Sequence, residues 1–482
     1  MKSINYIKEF GIISEGGQIN YVESNNELVL NNKSFGSLVD FVEENQLNPD
    51  FEKAFTVFKK RGVRCIRVKN YVGVIETKDG VVVEILPKTF KQNENRDASI
   101  EEARSILLKM LKSLKNSPFI NLSNAHIGAT KNFPILEVFI TNYLVELEAL
   151  LNKQLKGDYI TTQDNIKYLR GKLKVKESIK FNSIDKSNFY CEFDFFDTNT
   201  APNKLIKACL LKLVKSTVTS KNKNKINKIL SSFGHIDSST DFISDFSFCV
   251  YRKRILNNYG KILEWSRIFL DNKSFTNFHG KSVNQAVLFP MEKLFESYVA
   301  HLLKKHFSSI EIKTQDKRYF LLSQKKNIDD IDYSLKKFQL KPDIVINDDK
   351  VIIDTKWKIL NQENNKFDIK ESDVYQMHAY GRRYQDEHSG VAPRMALIYP
   401  KSSKFLNKLN QFRFGGNLLL DVYPFDFFNN SKDEISFIIN ELLGNNEFLD
   451  SKNNNILKGN FYQLTDDDKV NIAADVKPKY GN

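Results

Sequence analysis

The spacing of apolar residues changes several times along the chain, and each change predicts a different kind of element. YVGVIETKDGVVVEILPK, residues 71–88, places two β-branched runs around Asp79-Gly80. That dipeptide accepts the positive φ angles of a tight turn, so the stretch predicts a β-hairpin. Residues 1 to about 95 read as mostly β, with a helix over Ser37–Glu44 and another near Pro49–Arg61. From Ser99 to about Leu155 the period becomes helical: SIEEARSILLKMLKSL opens on Ser99 as an N-cap, and FPILEVFITNYLVELEALL continues the pattern.

YLRGKLKVKESIKFN and FYCEFDFFD return to strand-like alternation. Asn203–Leu230 and Asp241–Leu270 read as helical, and the Lys/Asn run Lys221–Lys228 reads as a solvated helix face. The last unit opens near Phe289 with the amphipathic stretch MEKLFESYVAHLLKKHF, followed by a strand-like patch over Tyr319–Leu322. KPDIVINDDKVIIDTKWK, residues 341–358, predicts a hairpin turning over Asn347–Lys350; a helix, SDVYQMHAYGRRY, and a buried strand, RMALIYP, come next. The fold class is α/β and multi-domain: a β-rich plus helical N-terminal region over 1–165, a central strand and helical region over 166–285, an α/β unit over 286–445, and a weakly ordered segment over 446–482.

Composition adds little to the fold but something to the partner. At 482 residues with 41% apolar side chains, the chain can bury several ordinary cores. Lys and Arg exceed Asp and Glu by 72 to 59, a net charge of +13 that suits a partner carrying phosphates. The cysteines, Cys65, Cys191, Cys209 and Cys249, are widely spaced without a C-x-x-C pair, which points away from a disulfide framework and a structural zinc site. With no signal peptide and no apolar run of membrane length, the expected setting is the cytoplasm, with no membrane partner.

The chemistry concentrates in residues 341–358, where Asp343, Asp354 and Lys356 lie inside runs of Val and Ile. A short hairpin would bring Asp343 beside Asp354, and two neighbouring carboxylates repel unless a cation lies between them. Those carboxylates with the Thr355 carbonyl and water form an all-oxygen set, which favours Mg²⁺ or Mn²⁺. On a continuing strand Lys356 shares the face of Asp354, where it would stabilise charge on a scissile phosphate. In the next helix Gln376 and Tyr380 lie four residues apart on one face with Asp373, and Arg382 and Arg383 add phosphate-binding charge. Upstream, Glu296 is the helical acid expected to complete the metal site. The same residues would also suit an edge hairpin of ordinary surface charges and an amphipathic helix, so the short motifs leave both readings open.

The ordered set resembles the PD-(D/E)xK nuclease superfamily, and Gln376 with Tyr380 matches the Q-x-x-x-Y motif of its RecB-like branch. That resemblance implies Asp343 and Asp354 as metal ligands and Lys356 as the catalytic lysine, with Glu296 in the place of the upstream acid. VGVIETKDGVVVEILPKTF, YLRGKLKV and FDTNTAPNKLIKACLLKL are similar to segments of the McrC subunit family of McrBC-type restriction systems, over roughly residues 65–400. Membership would imply a C-terminal PD-(D/E)xK core and a Mg²⁺-dependent DNA endonuclease subunit serving antiviral defence. Its partners would be DNA and a hexameric McrB-like AAA+ GTPase ring, docked at the N-terminal region, whose GTPase it stimulates. GTP would be held by that partner, since this chain has no G-x-x-x-x-G-K-[ST] loop. Two other readings stand beside this one: a RecB-like exonuclease, and a non-catalytic adaptor between DNA and an AAA+ ring.

Overall fold

The hairpin at Asp79-Gly80 forms as its sequence predicts. In the computed structural model, which describes residues 4–22, 25–46, 54–88, 96–115, 117–122, 134–251, 258–270, 282–328, 331–347, 349–427 and 431–444, Tyr71–Thr77 pairs antiparallel with Val82–Leu86. Gly80 turns the chain with φ 84°, an angle glycine reaches without steric cost. Ile4–Lys8 adds in parallel to one side of this hairpin and Val283–Pro290 antiparallel to the other, giving a four-stranded sheet. A five-stranded sheet follows the order Asn20–Val22, Glu27–Asn31, Ile12–Gly16, Val63–Val68, Phe55–Lys60.

Both sheets and the helix Asn32–Glu44 share one core that includes Ile7, Ile13, Leu28, Phe35, Phe41, Ile66, Ile75, Ile85 and Leu288. Each such fully buried side chain is worth about 1.5–3 kcal/mol of transfer free energy. The helix starts where Asn31 accepts a hydrogen bond from the Ser34 N–H at 2.8 Å.

Three expectations are corrected here. No helix occupies residues 55–60: Phe55–Lys60 is a strand paired with Val63–Val68 across Arg61-Gly62, because its period-two alternation fits the sheet edge. Residues 49–53 of that predicted helix lie outside the described residues. Ser99 is not an N-cap, since the helix runs Arg96–Lys112; its buried hydroxyl instead accepts from Lys8 Nζ at 3.1 Å. In YLRGKLKVKESIKFN only Lys172–Leu173 is strand, and Val175–Phe181 is a helix whose Phe181 ring stacks on Tyr190 at 5.3 Å. The following segment, Phe189–Asp197, is the expected strand, in a three-stranded sheet with Asp158–Ile166.

The helical region comprises Ile135–Leu151, Ala201–Ser216, Ser220–Ser232, Phe242–Tyr251 and Gly260–Leu270 besides Arg96–Lys112. Trp265 anchors it, edge-on to Phe119 at 4.8 Å and stacked on Phe269 at 5.7 Å. The buried Glu137 carboxylate closes the N-terminus of Ser220–Ser232. It accepts from the Val218 N–H at 2.5 Å, Thr219 Oγ1 at 2.8 Å and Asn222 Nδ2 at 2.7 Å. A carboxylate complements the unsatisfied N–H groups and dipole at that end.

The described chain divides into two compact units. The first holds the elements above, residues 1–301 with 355–368 and 399–406; the second holds 302–354, 369–398 and 407–482. In the second, a six-stranded sheet runs Ile312–Thr314, Ile344–Ile346, Val351–Thr355, Arg394–Pro400, Leu419–Phe425, Phe412–Arg413. The hairpin at 344–355 turns over Asn347–Lys350 as expected, and the helix Glu371–Glu387 contains the whole Q-x-x-x-Y stretch. Gly381 of that helix is required by close approach, because a Cβ there would lie 2.5 Å from Met395 Sδ on Arg394–Pro400. Residues 446–482 lie outside the described residues.

Candidate active site

Val351–Thr355 is flanked by strands on both sides and buried at every position. Its partner pairs Ile344 with Ile353, Val345 with Ile352 and Ile346 with Val351. Asp343 immediately precedes Ile344 and Asp354 immediately follows Ile353, so the same register continued one step beyond the paired residues would run Asp343 opposite Asp354. Residues opposite one another on an antiparallel pair have Cβ atoms about 4.5–5.5 Å apart and point to the same face. Asp354 is 1% exposed and Asp343 half-buried. The Asp343 carbonyl accepts from the Gln315 N–H at 2.9 Å, and Gln315 Nε2 donates to Asp343 Oδ1 at 3.3 Å. Asp343 is thus held by Gln315 through both its backbone and its side chain.

The strand ends at Thr355. The continuing strand on which the sequence reading set Lys356 and Lys358 beside Asp354 therefore stops one residue short of Lys356. Lys356 is half-buried two residues beyond Asp354, and its carbonyl accepts from the Lys358 N–H at 3.1 Å. Trp357 turns inward, 6% exposed, with its ring 5.5 Å from Phe295 at 65°.

On Glu371–Glu387, Gln376 Nε2 donates to Tyr380 Oη at 2.7 Å, so the i, i+4 pair meets as its spacing requires. Asp373 is buried one turn earlier. Arg382 donates to Gln385 Oε1 at 3.1 Å and Arg383 pairs with Glu387, so both arginines are engaged on their own helix. His378 lies 5.3 Å from the Phe414 ring. Glu296 is half-buried on Met291–His306. Among the described residues, no group of three or more His, Cys, Asp and Glu side chains gathers at metal-binding distance. Asp343 and Asp354 flank the last pair of the hairpin, Ile344 and Ile353.

Sequence reasoning missed a second polar cluster at the turn of the same hairpin. Asp349, with φ 70° and a fully buried side chain, pairs with Arg318 and accepts from Tyr319 Oη at 3.1 Å; its Oδ2 lies 2.7 Å from His388 Nε2. Arg318 also grips Asp316 at 2.6 Å, and Tyr384 Oη donates to the same Asp316 oxygen at 2.9 Å. Burial works to raise both carboxyls, but hydrogen bonds outweigh it and hold both below the usual carboxylate range: Arg318 and His388 at Asp349, Arg318 and Tyr384 at Asp316. The only advance sign was the Asx-rich turn NDDK, which does not say which acid turns inward. A cavity of about 410 Å³ opens beside this turn, lined by Asp349, Lys350, His388 and Arg394 among apolar residues. Asp354 lies five residues along the chain from Asp349, toward the open end of the hairpin.

The residues that carry resemblance elsewhere have structural work. Asn203 of FDTNTAPNKL is buried, donates to the Lys156 and Thr198 carbonyls at 2.9 and 2.8 Å, and accepts from Tyr259 Oη at 2.9 Å. Arg170 of YLRGKLKV lies 4.5 Å over the Phe193 ring, and Gly171 takes φ 65° where a Cβ would meet the Glu192 carbonyl oxygen at 2.4 Å. These contacts tie the central strands and helices to one another.

The family model described as "McrBC 5-methylcytosine restriction system component" matches residues 66–400. The chain belongs to the McrBC family. No curated protein sequence matches it. A solved structure described as the refined half-complex from a tetradecameric assembly of Thermococcus gammatolerans McrB AAA+ hexamers with bound McrC is similar in fold. That match has 15% identity and a TM-score of 0.65, covering 91% of this chain and 100% of that one. A cryo-EM structure of the Thermococcus gammatolerans McrBC complex is a weaker likeness, with 16% identity, 63% and 88% coverage and a TM-score of 0.46. The McrBC family match spans the hairpin, the Q-x-x-x-Y helix and the strand Arg394–Pro400. Among the described residues of this family member, no helix is long and apolar enough to cross a membrane.

Proposed function

We propose that the chain is the Mg²⁺-dependent DNA endonuclease subunit of a McrBC-like restriction complex, with its unit 2 sheet and helix serving as a PD-(D/E)xK core. The observation that supports this reading is the Ile344–Ile353 register, which continued one step would bring Asp343 opposite Asp354, with Lys356 two residues further along the chain. The donor set fits a hard divalent cation: two carboxylates on one face of a buried strand pair, with the Thr355 carbonyl next in sequence. Asp343, Asp354 and that carbonyl would hold Mg²⁺ or Mn²⁺, with Glu296 as the candidate fourth ligand. When bound, the ion supplies Lewis-acid polarisation of a phosphoryl oxygen.

The chain's own residues do the rest. Lys356 brings an ammonium group to the phosphate as negative charge develops during attack by water. Gln376 and Tyr380, held together by their hydrogen bond, present an amide and a hydroxyl that orient the DNA phosphate. Assembly with an AAA+ GTPase ring is supported by the solved relative described as McrB hexamers with bound McrC. In that reading the ring binds GTP and this chain stimulates its hydrolysis.

The test uses the chain assembled with its AAA+ partner, GTP, Mg²⁺ and closed-circular DNA bearing 5-methylcytosine. Asp354→Ala and Lys356→Ala should each stop cutting while partner binding and GTP hydrolysis persist. Cutting at the wild-type rate by both variants overturns the assignment. Calorimetry on the chain alone should show Mn²⁺ binding that disappears in the double variant Asp343→Ala/Asp354→Ala.

A further inference from the structure

The most deeply buried acid near the start of the chain points at the segment that carries the proposed catalytic lysine. Glu9 follows the strand Ile4–Lys8 and is 0% exposed. Its N–H donates to the Leu86 carbonyl at 3.0 Å, so its backbone is fixed at the end of the sheet ladder. Its Oε2 accepts from the Lys88 N–H at 3.1 Å, and both carboxyl oxygens accept from the Trp357 indole Nε1, at 3.1 and 3.0 Å. Glu9, Lys88 and Trp357 lie within one compact unit.

Burying a carboxyl group is costly, and an apolar side chain would fill this space without that cost. A hydrogen bond adds direction: it fixes the rotation of the indole, whose ring is already set edge-on to Phe295. Trp357 is the residue immediately after Lys356 and two after Thr355. Consecutive Cα atoms are about 3.8 Å apart, so an anchored residue 357 restricts where the Lys356 backbone can go. The strand ladder ends at Thr355, so beyond it this anchor takes over from sheet hydrogen bonding.

We infer that Glu9 is a positioning residue for the nuclease site, acting through the Trp357 indole to place the Thr355–Lys356 backbone. The inference rests on the nuclease reading above. Glu9 touches neither substrate nor metal in this role; its effect reaches the site through one side-chain hydrogen bond. Burial also pushes its carboxyl up to about 8, with the Lys88 N–H and the Trp357 indole opposing that rise. Glu9 is therefore largely neutral near pH 7, which makes glutamine a close substitute.

The experiment compares Glu9→Gln, Glu9→Leu, Trp357→Phe, the Glu9→Leu/Trp357→Phe double variant and Asp354→Ala in the assembled complex. The DNA is the same closed-circular substrate, and each chain is checked by thermal melting. Glu9→Leu and Trp357→Phe should each lower kcat by about tenfold to a hundredfold, as small misplacements of a catalytic group do. KM for DNA should stay within about twofold, because the substrate contacts themselves remain. The double variant should be no slower than the slower single, and Glu9→Gln should recover most of the rate. Independently of activity, Trp357 emission, taken as the difference from Trp357→Phe, should shift in Glu9→Leu and not in Glu9→Gln.

Wild-type cutting by Glu9→Leu or by Trp357→Phe, multiplicative losses in the double variant, or unchanged Trp357 emission in Glu9→Leu each overturn the inference while an inactive Asp354→Ala leaves the nuclease reading standing. Should Glu9→Leu fail to melt cooperatively, Trp357→Phe decides, since it keeps an aromatic side chain at that position while removing the indole N–H, with its own melt as the check on the smaller ring. Wild-type cutting by Asp354→Ala removes the nuclease reading and this inference together.

Discussion

The two ends of one hairpin handle buried acid in opposite ways. At the turn, Asp349 is surrounded by Arg318, Tyr319 and His388, and Asp316 joins through the same guanidinium and through Tyr384. At the open end, Asp343 and Asp354 flank the last pair of the register, Ile344 and Ile353, with Gln315 donating to Asp343. The turn carries its own cation and donors, so its acids are ionised anchors that fasten the hairpin to the C-terminal end of the Q-x-x-x-Y helix. In the proposed reading, two carboxylates opposite one another would form a site that a divalent ion completes. Burial alone does not separate a structural acid from a catalytic one; the kind of neighbour does.

The contrast is tested most severely by exchanging the consequences. Asp354→Ala should cost about a thousandfold or more in DNA cleavage with little loss of melting temperature, since it relieves repulsion between acids while removing a metal ligand. Asp349→Ala should do the reverse: it strands Arg318 beside a buried space and should destabilise the fold by about 2–4 kcal/mol in a denaturant melt, while Mn²⁺ affinity at the other end stays near wild type. Equal losses of stability from both variants would erase the distinction between the two ends.

Proton linkage sharpens it further, with opposite signs in two places. Asp349 and Asp316 are held below the usual range, so their contribution is present above an unfolded pKa of about 3.9 and is lost as pH falls through their lower folded values. Asp349→Asn should therefore flatten the acid limb of stability against pH. Glu9 runs the other way: raised from 4.5 to about 8, it binds its proton more tightly when folded. Stability should fall by a few kcal/mol as pH rises from about 5 through 8, and Glu9→Gln should remove most of that slope. Melting temperatures across pH 5–9 for the two variants check both signs. The smallest effect expected is at Gly381→Ala, whose added methyl meets Met395 Sδ at 2.5 Å; because a methionine end can move, about 1–2 kcal/mol of destabilisation should follow.

Much of the candidate site was visible before any fold. The β-branched runs flanking NDDK implied a short hairpin, and a short hairpin with Asp343 and Asp354 at its open end leaves little choice of register. The four-residue spacing of Gln376 and Tyr380 implied their contact on any helix, and they meet. The failures have local causes. Period-two alternation in FTVFKK competed with a helix-like run of mixed charge, and pairing with Val63–Val68 decided it. Lys356 looked like strand because D-T-K-W-K alternates, but Trp357 is drawn inward to Glu9, and the ladder stops first.

The chain's own pattern settled most of the elements and the hairpin at Asn347–Lys350, because those depend on neighbours within about fifteen residues, where periodicity and turn chemistry operate. It settled the family too, through motifs taken in order. Glu9 with Trp357, and Arg318 with Asp316, Asp349 and Tyr384, were decided only in three dimensions. Glu9 and Trp357 are 348 residues apart, and Asp316 and Tyr384 are 68 apart. No local spacing rule links such residues; burial brought them together, and once buried each acid had to find a donor.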